Sequence, residues 1–210
     1  DELSDAAKLI GACNTVVVKD GKLYGNNTDG MGFVRNLKEN GVDVKGKKMT
    51  IMGAGGAATA VQVQSALDGA AKISIFNRVD EFYANAEHTK AKIKEMLPEC
   101  DVNVYPLEDT EKLYAEIKDS DILVNATKVG MKPLDGQSLI EDTSVFRPDL
   151  VVADVVYNPK ETKFVQDAKT AGCKVAVGGI GMLLWQGAAA FKLFTGEDMP
   201  TDEVYELFFK

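Results

Sequence analysis

One histidine, one tryptophan and three cysteines are all that this 210-residue sequence holds of those residue types. Cys13, Cys100 and Cys173 are odd in number and far apart, so they offer no disulfide framework, and His88 alone cannot complete a metal site with them. No metal is expected, and the thiols read as idle groups in a reducing cytosol. Also missing is any run of eighteen uncharged apolar residues, and the opening DELSDAAKLI is acidic where a secretory signal is basic and then apolar. The expectation is a soluble cytoplasmic protein with no membrane partner. Basic charge is scarce too: 24 Lys and Arg against 32 Asp and Glu leave a net charge of −8. That balance excludes a broad nucleic-acid or anionic-membrane surface, both of which need a basic face. A small-molecule partner remains, and if it is anionic it must be met locally by Arg, Lys or a helix N-terminus.

What is present is an apolar fraction of 45%, ordinary for a globular protein, with no internal repeat. TVVVKD and KLYGNN, joined through Asp20-Gly21, form a hairpin signal. A helix follows from Thr28 or Asp29 to Gly41, with Phe33, Val34 and Leu37 on one face. From Lys47 apolar runs alternate with helical stretches, the pattern of βαβ units. MTIMGA, KISIFN, VNVYPL, DILVNAT, LVVADVVY and KVAVGG read as strands, with helices near 56–68, 80–96, 109–118 and 161–171. The long apolar helix MLLWQGAAAFKLF and a short acidic one close the chain. The fold class expected is α/β, a Rossmann-like, doubly wound and mostly parallel sheet with helices on both faces. Residues 1–40 fit it poorly, since a lone hairpin is marginal in water.

"MTIMGAGGAATAVQ" sets Gly53, Gly55 and Ala58 in G-x-G-x-x-A register between a strand and a helix. The first Gly permits the tight turn, the second lets a pyrophosphate approach the backbone, and Ala58 lets helix and strand pack closely. With the N–H groups of the helix start, Gly53, Ala54, Gly55, Gly56 and Ala57 form a phosphate cradle for a dinucleotide. The next strand ends in IFNRVDEF. Asn77 and Arg78 suit the 2′-phosphate of NADP. Asp80 can serve the ribose of NAD, and with Glu81 it can equally be an acidic helix start matched to the dipole. Cofactor choice between NADP and NAD therefore stays open, tilted toward NADP.

YGNNTDGMGF, residues 24–33, crowds two amides, a hydroxyl and a carboxylate before Gly30. Read alone, Asp29 is a helix cap. Read with six other stretches, it is more: GACNTVV (11–17), GNNTDGMGF (25–33), GAGGAATA (53–60), FNR (76–78), NATKVGM (125–131), DVVYNPKET (154–162) and GGIGMLLWQGAAAF (178–191). In this order, these stretches resemble the shikimate dehydrogenases, within them the quinate/shikimate dehydrogenase branch. The resemblance implies reversible NAD(P)-dependent reduction of 3-dehydroshikimate, or of 3-dehydroquinate, in the shikimate pathway of aromatic amino acid biosynthesis. It makes Asp29 the catalytic aspartate, working with a lysine of the substrate domain. It puts Asn14 and Gln186 on the substrate hydroxyls and Tyr157 nearby. It places Gly179 against the nicotinamide, in a neighbourhood that takes in Asn125, Thr127, Lys128, Met131 and Val156. Lys128 stands where much of the family has Pro.

The family's Pro-x-Lys and Ser-x-Ser motifs are not found in this sequence. The chain is accordingly read as a C-terminal part: 1–40 a remnant of the substrate domain, 41–180 the NAD(P)-binding domain, 181–210 helices packing toward the substrate domain. The surface of Leu183, Leu184 and Trp185 is expected to lie open there, and the 210-residue chain by itself is expected to bind cofactor without appreciable turnover. The chemistry is sensible on its own terms, because alcohol oxidation releases a proton and needs a polar group at the oxygen. The rival reading is a non-catalytic dinucleotide-binding regulatory module of the same fold. Among other NADP enzymes with a similar domain, a methylene-tetrahydrofolate dehydrogenase or glutamyl-tRNA reductase is disfavoured by NNTDG and MLLWQG. A homodimer is left open.

Overall fold

A computed structural model describes residues 1–210. The chain opens with β1 (Glu2–Leu3), α1 (Asp5–Ile10), β2 (Thr15–Lys19) and β3 (Lys22–Asn26). Asp20 and Gly21 both have positive φ, 51° and 76°, which is the primed turn that matches strand twist. The expected hairpin is therefore present, and β1 adds to it in parallel to give the order β1-β3-β2. A two-residue strand has no alternation to read, so β1 could not be seen in the sequence.

The remaining elements are α2 (Asp29–Glu39), β4 (Lys48–Met52), α3 (Gly56–Leu67), β5 (Lys72–Asn77), α4 (Glu81–Met96), β6 (Asp101–Pro106) and α5 (Thr110–Asp119), then β7 (Ile122–Asn125), β8 (Val151–Asp154), α6 (Lys163–Thr170), β9 (Val175–Val177), α7 (Ile180–Thr195) and α8 (Thr201–Phe208). The six strands from β4 onward form one parallel sheet in the order β6-β5-β4-β7-β8-β9. Chain order reverses between β4 and β7, the point at which open α/β sheets bind ligands beyond their strand ends.

Strand alternation divides the core in two. Met49, Ile51, Ile73, Ile75, Ile122 and Val124 join one apolar cluster with Phe33, Leu37, Val61 and Ile93 from helices α2, α3 and α4. Met52, Phe76, Leu123 and Val152 point to the other face and join Leu113, Ile117, Phe164 and Val165 of α5 and α6. Apolar side chains on both faces are what a buried parallel sheet requires.

At the N-terminal end of the sheet, Glu116 accepts from Ser74 Oγ at 2.7 Å and pairs with Lys72 at 2.6 Å and Lys112 at 2.7 Å. Burial alone would raise its carboxyl, but the donors outweigh it and pull the pKa down to about 2. Glu116 is thus held by three donors at that end, whereas the opposite end carries the groups expected to meet ligands.

Helix α2 is wedged between α3 and α7 on glycine notches. A Cβ on Gly30 would sit 2.3 Å from the Ala60 carbonyl oxygen, and one on Gly32 would sit 2.5 Å from Gln186 N and Met182 O. The wedge also corrects one expectation: Leu184 is buried, and Trp185 is half-buried beneath the Arg35 guanidinium, 4.9 Å from its ring centroid. The exposed apolar residues lie farther along, at Phe194, Leu207 and Phe208.

Candidate functional site

The turn leaving β4 crosses the switch point. Gly53 has φ 118°, and a Cβ there would come within 2.6 Å of the Ala126 carbonyl oxygen, so only glycine lets this turn pass under the turn after β7. Gly55 is extended and caps α3, while Ala58 is buried. Gly56 and Ala57 are exposed at the helix start. The N–H groups of Ala54 and Gly55 bond to nothing in the protein. Unfilled donors at a helix N-terminus are the fit that a pyrophosphate needs.

Asn125, the last residue of β7, holds its own turn: its Oδ1 accepts from Thr127 N at 3.2 Å and Thr127 Oγ1 at 2.7 Å, and its Nδ2 donates to Val129 O. The same amide donates to Asp154 Oδ1 at 3.0 Å. Asp154, ending β8, also accepts from Val156 N at 2.9 Å and from Thr162 Oγ1, the N-cap of α6, at 2.6 Å. Burial pushes its carboxyl up to about 6 even against these donors. In the sequence Asp154 belongs to the LVVADVVY strand and the DVVYNPKET stretch with no site role of its own, yet it ties the turn after β7 to both ends of the β8–α6 connection; an acid at the C-terminal end of a parallel strand is the available signal. Val156 is buried, and its carbonyl receives Gly179 N at 2.9 Å. A Cβ on Gly179 would sit 2.2 Å from the Val155 carbonyl, so this turn lies backbone against backbone. Tyr157, Lys128 and Met131 are exposed around it.

At the end of β5, Asn77 Nδ2 donates to Asp80 Oδ1 at 2.9 Å, and Asp80 caps α4 by accepting from Phe82 N. Asp80 Oδ2 lies 3.3 Å from Arg78 Nη2 on an exposed guanidinium. One carboxylate thus starts the helix and holds the cation.

At the N-terminus of α2 the cap position belongs to Thr28, whose side chain makes no cap bond. Its hydroxyl reaches instead to Asn14 Oδ1 and to Gln186 Oε1, each at 3.3 Å. Asn27 Oδ1 accepts from Asp29 N at 3.1 Å. Relieved of capping, Asp29 accepts from Asn14 Nδ2 at 2.9 Å through Oδ1, and no protein donor reaches Oδ2. Asn14, Asp29 and Gln186 come from a loop and two helices, and one network gathers them. Asn27 and Thr28 are the linking groups that the sequence reading left unassigned.

Gly179, the N-cap of α7, stands seven residues before Gln186, about 10 Å along the helix axis. The groups expected for substrate and for nicotinamide are thereby strung along one helix. A hollow of about 570 Å³ lies elsewhere, against the β9 edge between α2, α7 and α8. A dinucleotide cleft open along its length need not be the deepest hollow, so side-chain chemistry is the better guide here. No three His, Cys, Asp or Glu residues converge as metal ligands, and no helix is long and apolar enough to cross a membrane.

Residues 179–207 match the family model described as the shikimate 5'-dehydrogenase C-terminal domain. The chain is 52% identical over 209 residues to the shikimate dehydrogenase (NADP(+)) of Listeria monocytogenes serotype 4b, covering 100% of this chain and 71% of that protein. To the enzyme of the same name from Streptococcus uberis it is 54% identical over 211 residues, with the same coverage. Among solved structures it superposes on shikimate 5-dehydrogenase from Listeria monocytogenes in complex with shikimate and NAD, with TM-score 0.97, 52% identity, and 100% of this chain and 72% of that one covered. Quinate dehydrogenase from Corynebacterium glutamicum in complex with NAD gives TM-score 0.86 at 32% identity, over 99% and 71% of the two chains.

Proposed function

The chain belongs to the shikimate dehydrogenase family, and from that premise we propose how its residues share the work of an NADP- or NAD-dependent oxidoreductase. The reaction is the reversible reduction of 3-dehydroshikimate to shikimate, with quinate as a second substrate. The bound nicotinamide supplies or accepts the hydride; the protein's part is to hold both molecules and to manage the proton.

The cofactor's pyrophosphate is assigned to Gly53 through Ala57, where the free N–H groups and the α3 dipole favour phosphate. Arg78, with Asn77 and Asp80 beside it, reads the adenosine ribose and its 2′-phosphate. The nicotinamide end is assigned to Asn125, Thr127, Lys128, Met131, Val156 and Gly179. Asn14, Tyr157 and Gln186 hold the substrate, and Asp29 hydrogen-bonds the reacting hydroxyl. The observation that carries this assignment is the Asn14 Nδ2 to Asp29 Oδ1 bond of 2.9 Å, which fixes one carboxylate oxygen and leaves the other free for a substrate hydroxyl. In the oxidative direction that oxygen orients the alcohol and takes part in removing its proton. The cation that shares this work in the family's Pro-x-Lys motif is not among these 210 residues, which span 71% of the Listeria relative.

By this reading residues 1–40 belong with substrate binding, 41–180 with the cofactor, and 181–210 join the two. The cytoplasm is the compartment that suits it. The exposed apolar Phe194, Leu207 and Phe208 support a homodimer, checked by sedimentation. The direct test is the full-length protein assayed with shikimate and with quinate, against NADP and NAD. Reduction of neither cofactor with either acid would overturn the proposal in favour of a dinucleotide-binding regulator.

A further inference from the structure

Two side chains outside the predicted site grip the phosphate loop from behind. Gln62 on α3 is fully buried, and its Nε2 donates to the Gly53 carbonyl at 2.9 Å. Asn85 on α4 donates through Nδ2 to the Ala54 carbonyl at 2.7 Å and to Thr59 Oγ1 at 3.1 Å. Thr59 Oγ1 in turn donates to the Gly55 carbonyl at 3.1 Å. Three successive carbonyls of the loop are thus held by side chains of the two helices that flank it.

In a planar trans peptide the carbonyl of one residue and the N–H of the next point in opposite directions. Drawing the Gly53 and Ala54 carbonyls toward α3 and α4 therefore turns the N–H groups of Ala54 and Gly55 away from them. Those two N–H groups have no partner in the protein, and neither do those of Ala57 and Ala58 that follow them at the helix start. Glycine leaves the turn several conformations, so something must choose among them. The choice carries a cost at Gln62, whose Oε1 is buried without a partner. Rotating the amide would satisfy nothing, since it would set Oε1 against the Gly53 carbonyl. A fully buried amide left half-unsatisfied points to a task beyond packing.

We propose that Gln62 and Asn85 are positioning residues for cofactor binding, which preorganise the loop's N–H groups to receive the pyrophosphate of the dinucleotide. This rests on the assignment of that loop to the cofactor. Neither side chain touches the reacting atoms, so the effect falls on cofactor affinity and leaves the chemical step alone.

The test uses the full-length protein, titrated with NADP and assayed with shikimate, as wild type and as Gln62→Met, Asn85→Leu and Gln62→Glu. Loss of one amide donor is expected to raise the KM for NADP by about three- to tenfold, as for a single hydrogen bond. The kcat at saturating NADP and the KM for shikimate should stay within about twofold, the pattern of lost uniform binding. Gln62→Glu supplies a readout that mere packing would not move. Its protonated carboxyl can donate to the Gly53 carbonyl and its carboxylate cannot, so the ratio of its NADP affinity to that of wild type should rise as pH falls. Wild-type protein that binds no NADP would overturn the loop assignment itself. Wild-type protein that binds NADP, with variants that bind it equally well or lose kcat instead, would overturn the role given to Gln62 and Asn85. If Gln62→Met fails to fold, Asn85→Leu at the half-buried position and the pH profile of Gln62→Glu decide the question.

Discussion

The Asn14 side-chain amide and the Asp29 carboxylate, fifteen residues apart, are joined at 2.9 Å by a bond that spares Asp29 Oδ2. Because Asn27 and not Asp29 supplies the local side-chain acceptor at this turn, the carboxylate is free for chemistry. Replacing it should expose that division.

Asp29→Asn keeps the size of the side chain and removes its ability to take a proton. The expected result is a kcat lower by about 10²–10⁴, as for lost general acid–base assistance, with the KM for NADP unchanged. Steady-state kinetics of the full-length protein check this, and a kcat within a few-fold of wild type would remove Asp29 from the mechanism.

Arg78 is exposed and shared with Asp80 at 3.3 Å. Arg78→Ala should weaken NADP by about 1.5–3 kcal/mol, the range for hydrogen bonds to charged groups, while sparing NAD. Asp80→Ser retains a helix-capping side chain and releases the guanidinium, so it should shift preference toward NADP. Equal loss of both cofactors in Arg78→Ala would show that this residue does not read the 2′-phosphate.

Asp154 gives stability a distinct pH dependence. Its carboxyl is raised from 3.8 to about 6 in the folded protein, chiefly by burial. The folded state then keeps a proton that the unfolded chain gives up. The resulting stabilisation is complete below pH 3.8 and is lost as pH rises through about 6. A shift of this size corresponds to about 3 kcal/mol. Asp154→Asn lacks the titration, so the stability gap between it and wild type should move in favour of the variant between pH 4 and pH 7. Denaturant melts at both pH values measure the gap, and parallel behaviour of the two proteins would count against the assignment.

Two glycines on neighbouring helices should respond oppositely to the same methyl group. At Gly32 a Cβ meets Gln186 N and Met182 O at 2.5 Å, so Gly32→Ala must push α2 off α7 and should cost about 1–3 kcal/mol. The displacement carries Asp29 away from Gln186, so kcat should fall as well. At Gly187 a Cβ meets nothing within 4 Å, and Gly187→Ala should gain about 0.5–1 kcal/mol in the interior of α7. Thermal melts of the two variants moving in the same direction would contradict the packing described.

Much of this was legible in the sequence because its signals are local. Asp20-Gly21 fixed a hairpin, KISIFN coincides with β5, and G-x-G-x-x-A between strand and helix located the loop that crosses the switch point. What could not be read depends on distant partners. LVVADVVY suggested a strand to residue 157, but β8 stops at Asp154, whose carboxylate captures Val156 N for a turn. Leu184 reads as surface only until α2 is laid against α7. Likewise Thr28 looks like a capping residue, and only the arrival of Asn14 and Gln186 from elsewhere in the chain draws its hydroxyl away. Gln62 carries no signal at all in a helix of small and apolar residues.

The wedged position of α2 also bears on how this sequence can drift. Gly30 faces α3, Gly32 faces α7, and Asp29 sits one residue before the pair. Each residue advances a helix by about 100° and about 1.5 Å, so a one-residue insertion or deletion between Asp29 and Gly32 would swing the carboxylate out of phase with both notches. Substitutions at Met31 and Lys38, which face outward, leave that phase intact. The segment from Asp29 to Gly32 should therefore tolerate no change of length in any functioning descendant, while its outward positions remain free to vary.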